Sequence, residues 1–273
     1  MEHFFDHFII TRFNLRQSIW ENDKNQIQVN DIVWLEDRYK LFKKFCFPSV
    51  QSQFNQNFKW LVFFDSKTPI AFKNMNTLLH DEYGNFIPIY VDSFELFGTS
   101  LPKIVENYRN KDKSFVVTTR LDNDDCFHKE AVAVIQKHFI SKSLTIIELC
   151  HGLCLQIGHK KKLSLKKNIT YGPFISLIEN AKKANSFLTV YNREHTQWEG
   201  AAYYIPITSG YYWMQIIHKR NVINELSKDL TCNKVYLKGF EFIGNLKFSL
   251  RYCIFIYLKR IKQYFRHFKQ QVA

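Results

Sequence analysis

The feature that most restricts what this chain of 273 residues can become is an alternation in its first half, where short apolar runs are each followed by a stretch of helical period. Residues 4–12 read as a strand, and 36–53 as an amphipathic helix with apolar Tyr39, Phe42, Phe45, Cys46 and Val50, interrupted at Pro48. A buried strand at 58–64, a helix at 70–79, a strand at 86–91, a helix near 101–108 and a strand at 114–121 continue the pattern. After a helix at 128–140, an extended stretch spans 143–156 and a basic, hairpin-like turn spans 159–162. Strands alternating with helices at this spacing form right-handed βαβ units. The expected fold is therefore α/β, a doubly wound and mostly parallel sheet whose ligands bind beyond the carboxyl ends of its strands.

Composition agrees: 46% apolar and 23% charged residues fit an ordinary packed chain, and nine Gly with six Pro argue against a loop-dominated or fibrous one. The six cysteines are too dispersed for a disulfide framework and read as small buried apolar groups. The start of the chain lacks the basic and apolar regions of an export signal, which predicts a cytoplasmic protein. The uncharged run at 200–217 carries Pro206, Gly210 and Gln215 and does not read as a membrane span.

The net charge of +13 favours anionic partners, but its distribution is uneven. From Lys234 onward nine Lys/Arg stand against Glu241 alone. Within this tail Leu246, Leu250, Cys253, Ile254, Tyr257, Ile261, Tyr264, Phe265 and Phe268 recur at steps of three and four. Lys247, Arg251, Lys259, Lys262, Arg266 and Lys269 lie opposite, giving a basic amphipathic helix. Two uses are open to it: packing on its own domain, or lying on an anionic lipid surface at the inner face of the cytoplasmic membrane. A division into a domain at 1–233, with halves at 1–127 and 128–233, and a tail at 234–273 follows.

The chemistry concentrates just past the strand at 114–121, in Asp122-Asn123-Asp124-Asp125. In an extended segment residues two apart share a side, so Asp122 and Asp124 can address one hard divalent cation, Mn²⁺ or Mg²⁺, which would in turn hold a diphosphate. The plainer alternative is that one of these carboxylates caps the helix beginning near His128. Asp65 follows another apolar strand, where a nucleoside contact competes with a turn or cap role. A metal-dependent phosphoryl-transfer or nucleic-acid-processing protein would use the same acids, but the excess positive charge lies in the tail rather than around them, and no nucleic-acid-binding module is recognisable.

The stretches Ile9-Ile10-Thr11-Arg12-Phe13-Asn14, Phe47-Pro48-Ser49-Val50, 58–68 and Thr119-Arg120-Leu121-Asp122-Asn123-Asp124-Asp125 resemble the nucleotide-sugar half of GT-A glycosyltransferases. With Trp34-Leu35-Glu36-Asp37-Arg38, Pro173-Phe174-Ile175-Ser176-Leu177-Ile178-Glu179 and Trp213-Met214-Gln215-Ile216-Ile217-His218, the chain resembles the bacterial rhamnosyltransferase family over roughly 8–226. The resemblance implies a GT-A-like, Rossmann-type fold and transfer of a sugar, with inversion, from a nucleotide-sugar donor to a glycan or lipid-linked acceptor in surface polysaccharide synthesis. It implies a donor site made of Thr11, Arg12, Asn14, Arg16, Asp65, Arg120 and Asp122. Asp122 and Asp124 would hold the metal, with His218 as a late ligand unless it is a core histidine. Glu179 is the expected general base, with Glu194 as its alternate and Asp125 assisting. Nothing in the residues specifies rhamnose.

Overall fold

A computed structural model describes residues 4–16, 30–182, 187–218, 225–240 and 246–272, without the side chains of 263–272. Strand β2 (Lys59–Asp65) shows why the chain builds layers, because its apolar residues leave the sheet alternately on both sides. Trp60, Val62 and Phe64 enter one core with Phe42, Phe47 and Phe72, while Leu61 and Phe63 enter another with Phe97 and Leu101. The first core is covered by α1 (Ile32–Leu41) with its continuation and by α3 (Ile70–Glu82), the second by α4 (Phe94–Tyr108).

The main sheet comprises β1 (Phe5–Arg12), β2, β3 (Phe86–Val91), β4 (Phe115–Arg120), β6 (Thr145–Leu149), β9 (Ile175–Asn180) and β10 (Tyr203–Ile207), in the order β10-β6-β9-β4-β1-β2-β3. All neighbours are parallel except β9, which runs antiparallel to both β4 and β6. The carboxyl ends of β1, β2, β4, β6 and β10 therefore share one rim. A second, mostly antiparallel sheet has the order β12-β8-β7-β11-β5, from β5 (Cys126–Phe127), β7 (Gly152–Gln156), β8 (Lys162–Lys166), β11 (Trp213–Ile217) and β12 (Leu230–Thr231). The segment that leaves β4 enters β5, so the acidic loop is one of the covalent crossings between the two sheets.

Most expected elements form close to their expected limits, but α4 begins at Phe94, seven residues before the expected start at 101, and three further differences appear. The helix is not interrupted at Pro48: α1 passes through a π-turn (Phe42–Cys46) into α2 (Phe47–Gln51), in whose first turn Pro48 sits and needs no N–H partner. The stretch at 143–156 is two strands in different sheets, β6 and β7, and the hairpin after it is the antiparallel pair β7–β8. The helix after the acidic loop, α5 (Ala131–Lys137), is shorter than expected and takes no side-chain cap, so neither Asp122 nor Asp124 caps it. The uncharged run at 200–217 supplies β10 and β11. Beyond residue 233, Phe240 and Leu246 enter the core of the second sheet, and a final helix, α6 (Leu250–Val272), rests on that sheet through Tyr252. The side chains of Tyr264, Phe265, Phe268, Arg266 and Lys269 lie outside the described residues. No helix among the described residues is long and apolar enough to cross a membrane.

Candidate active site

The rim owes its shape to short side-chain ties from one strand end to the next. Asn123 donates from Nδ2 to the carbonyls of Arg12 (3.1 Å) and Phe13 (2.6 Å), lashing the acidic loop to the end of β1. Asn14 accepts from the backbone N–H of Asp65 (3.2 Å) and donates to Thr68 Oγ1 (3.1 Å), fixing the end of β2. Both asparagines are buried and hold backbone in place.

Around this frame, Asp124 Oδ2 accepts from Arg38 Nη1 at 2.7 Å and lies 2.9 Å from His218 Nε2. Arg38 also donates to Asn123 Oδ1 at 3.2 Å. Burial alone would push the Asp124 carboxyl up, but Arg38 and His218 outweigh it and hold the group below the usual carboxylate range. Asp125 behaves oppositely: burial, with Asp124 and Asp122 beside it, pushes it well above its ordinary value. Its Oδ1 accepts from Ile216 N at 3.2 Å, which ties the loop to β11. Asp122 is the open member of the cluster, half-buried, with Oδ2 3.5 Å from Arg120 Nη2.

Two arginines flank Tyr191: the Arg12 guanidinium stands 4.8 Å and that of Arg120 5.3 Å from the ring centroid. Arg120 also reaches Glu194 at 3.8 Å, and its buried Nε has no hydrogen-bond partner among the described residues. At the end of β2, Asp65 Oδ1 accepts from Lys67 N (2.7 Å), while buried Oδ2 lies 3.3 Å from Arg16 Nε without forming a hydrogen bond. Buried polar atoms without partners are uncommon and mark places where a ligand group can complete the set.

The fold thus brings Arg12, Arg16, Asp65, Arg120, Asp122, Asp124 and His218 to one rim. It does not bring every expected residue there. Thr11 is fully buried, and its hydroxyl accepts from Trp60 Nε1 at 2.9 Å inside the sheet, so it cannot face a donor. Asp125 is equally enclosed and serves the loop's position. Glu179 lies at the wrong edge: it pairs with Val116 near the start of β4 and accepts from Ser143 Oγ. Val116 precedes Asp122 by six residues, roughly 20 Å along extended chain, which removes Glu179 from the site. The resemblance implied a site position for Glu179, but antiparallel β9 reverses which end of the strand meets the rim.

Three contributors escaped the sequence reading. Arg38 approaches from α1, Tyr191 from a loop, and Glu148 from the end of β6. Glu148 is buried and accepts from Tyr171 N (2.6 Å), Gly172 N (2.5 Å) and Tyr204 Oη (2.6 Å). Its position in the last turn of an apolar strand, like that of Asp65, was the available signal.

Two carboxylates beside an open rim are the ligand type that Mn²⁺ and Mg²⁺ accept, whereas the imidazole of His218 is a nitrogen donor that hard Mg²⁺ does not favour. Among the described residues no group of three His, Cys, Asp or Glu surrounds a single point, and Arg38 occupies Asp124. A cation here would have to take most of its ligands from a bound diphosphate and water, because the described residues form no closed protein cage.

In sequence, residues 9–228 match the family described as "Putative rhamnosyl transferase". The chain belongs to this family. No curated protein matches it in sequence. Among solved structures it is similar to Staphylococcus aureus TarS 1–349, at 12% identity and a TM-score of 0.42, over 77% of this chain and 60% of that one. A complex of TarS 1–349 with UDP-GlcNAc gives 13% identity and a TM-score of 0.45, over 78% and 59%. The inositol-1-phosphate CTP transferase of Thermotoga maritima gives 12% and 0.35, over 88% and 97%. The chain thus spans about three fifths of the length of the TarS 1–349 structures.

Proposed function

We propose that this family member is a GT-A-type glycosyltransferase that moves a sugar, with inversion, from a nucleotide-sugar donor to a hydroxyl of a glycan or lipid-linked acceptor. The observation that carries the reading is the meeting, on one strand-end rim, of Asp65, the Arg12–Tyr191–Arg120 group and the Asp122/Asp124/His218 cluster. Asp65, whose buried Oδ2 accepts no hydrogen bond among the described residues and has only the Arg16 charge beside it, suits the nucleoside, and Arg12, Arg16 and Arg120 suit the diphosphate by charge. Mn²⁺ or Mg²⁺, with Asp122 and Asp124 as its protein ligands and the rest of its shell from diphosphate and water, would supply Lewis-acid stabilisation of the departing nucleoside diphosphate.

Transfer also requires a base for the acceptor hydroxyl, and Glu194 replaces Glu179 in that role. Its carboxylate is exposed, 3.8 Å from Arg120, and therefore accessible to an acceptor beside a donor bound at the arginines. Arg120 keeps Glu194 oriented while its own position is fixed by Tyr191 and Asp122.

Thermal-shift measurements with UDP-, GDP- and dTDP-sugars, each with and without Mn²⁺, test the assignment. One donor class should raise the melting temperature in a metal-dependent way, and Asp122→Asn/Asp124→Asn should abolish both that shift and sugar transfer. A double variant that still turns over, or a wild-type protein that no nucleotide sugar stabilises, rejects the reading.

A further inference from the structure

The final helix packs on the molecule with the less apolar of its two faces. Tyr252 and Ile256, only 8% and 3% exposed, meet the second sheet. Tyr252 Oη donates to Leu163 O at 2.9 Å and accepts from Leu163 N at 3.1 Å, and Lys259 Nζ donates to Lys228 O at 3.0 Å. These ties fix the rotation of α6. They turn Leu250, Ile254, Tyr257 and Leu258 outward, at 75%, 48%, 67% and 52% exposure. With Ile261 these residues follow i, i+4, i+7, i+8 and i+11, so they form one continuous apolar stripe. At 3.6 residues per turn Arg251 and Lys262 border the stripe on one side and Arg260 on the other.

We propose that this outward stripe seats the protein on an anionic lipid bilayer, with Ile254, Leu258 and Leu250 entering the acyl boundary and the flanking cations meeting lipid phosphates. The apolar face that would serve a helix folding onto its own domain is the one left in solvent. Its borders carry cations, and from Lys234 onward nine Lys/Arg face a single acid, which matches an anionic surface and opposes pairing with a second copy of the same basic helix. Tyr257 is of the aromatic type favoured at the water–lipid boundary. The inference is independent of the sugar-transfer reading, since it concerns only where the molecule sits.

Flotation of the full chain tests it, using phosphatidylcholine vesicles with and without phosphatidylglycerol. The wild type should float with the anionic vesicles and much less with the neutral ones. Ile254→Ser/Leu258→Ser, whose side chains are already about half exposed, should reduce binding at least about tenfold with an unchanged circular dichroism spectrum. Arg260→Glu/Lys262→Glu keeps the stripe and should abolish the preference for anionic lipid. The proposal is overturned if the wild type stays unbound, if either variant floats like the wild type, or if the stripe instead drives a concentration-dependent dimer that Ile254→Ser/Leu258→Ser disperses.

Discussion

At the scale of single residues, the site turns on which carboxylates are free to meet a ligand. Asp124 is held low and occupied by Arg38, Asp125 is enclosed and its carboxyl pushed up by burial, and Asp122 and Glu194 face outward. Glu194→Gln should lower kcat by roughly 10²- to 10⁴-fold with donor KM little changed, whereas Glu179→Gln should leave turnover near wild type. Steady-state kinetics on the two variants checks this, and the reverse ranking refutes the choice of base. Asp65 and the Asp122–Asp125 cluster were legible in the sequence because each ends an apolar run where a parallel sheet presents ligands. Arg38 and Tyr191 reach the same spot from a helix and a loop far away in the chain, and no local pattern records such a meeting.

At the scale of elements, legibility followed periodicity. The βαβ order was readable because β1, β2 and β4 are buried on both faces and their helices carry clear stripes. The second sheet was not, because the tight connection between β6 and β7 sends adjacent apolar runs into different sheets. That divergence depends on Gly152. A Cβ there would lie 2.0 Å from the Trp213 ring, which stacks on Phe174 at a centroid distance of 4.2 Å and donates to Leu149 O at 2.6 Å. Gly152→Ala should therefore force β7 and β11 apart and cost about 1–3 kcal/mol of stability, measured by denaturant unfolding. An unchanged midpoint would mean that the indole moves aside freely.

For the whole molecule, one buried histidine ties several layers into a unit that answers to acid. His7 Nε2 lies 2.7 Å from Thr119 Oγ1 and Nδ1 lies 3.1 Å from Gln136 Nε2, and burial lowers its pKa from 6.5 to about 3. The folded state thus keeps His7 neutral while the unfolded chain protonates it below about 6.5. This contribution to stability is complete above that pH and is lost toward pH 3, with a slope approaching about 1.4 kcal/mol per pH unit. His7→Asn should flatten the dependence of unfolding free energy on pH between 6 and 4.5, and a slope equal to that of the wild type would exclude His7 as its source. At this scale too, the crossing of the acidic loop from one sheet to the other has a mechanical meaning. Asp124 rides on the loop from the first sheet and His218 on the second, joined at 2.9 Å, so any tilt between those two slabs stretches or relaxes that contact. The spacing of the reactive groups is set by a broad interior seam, and changes far from any bound sugar can retune it.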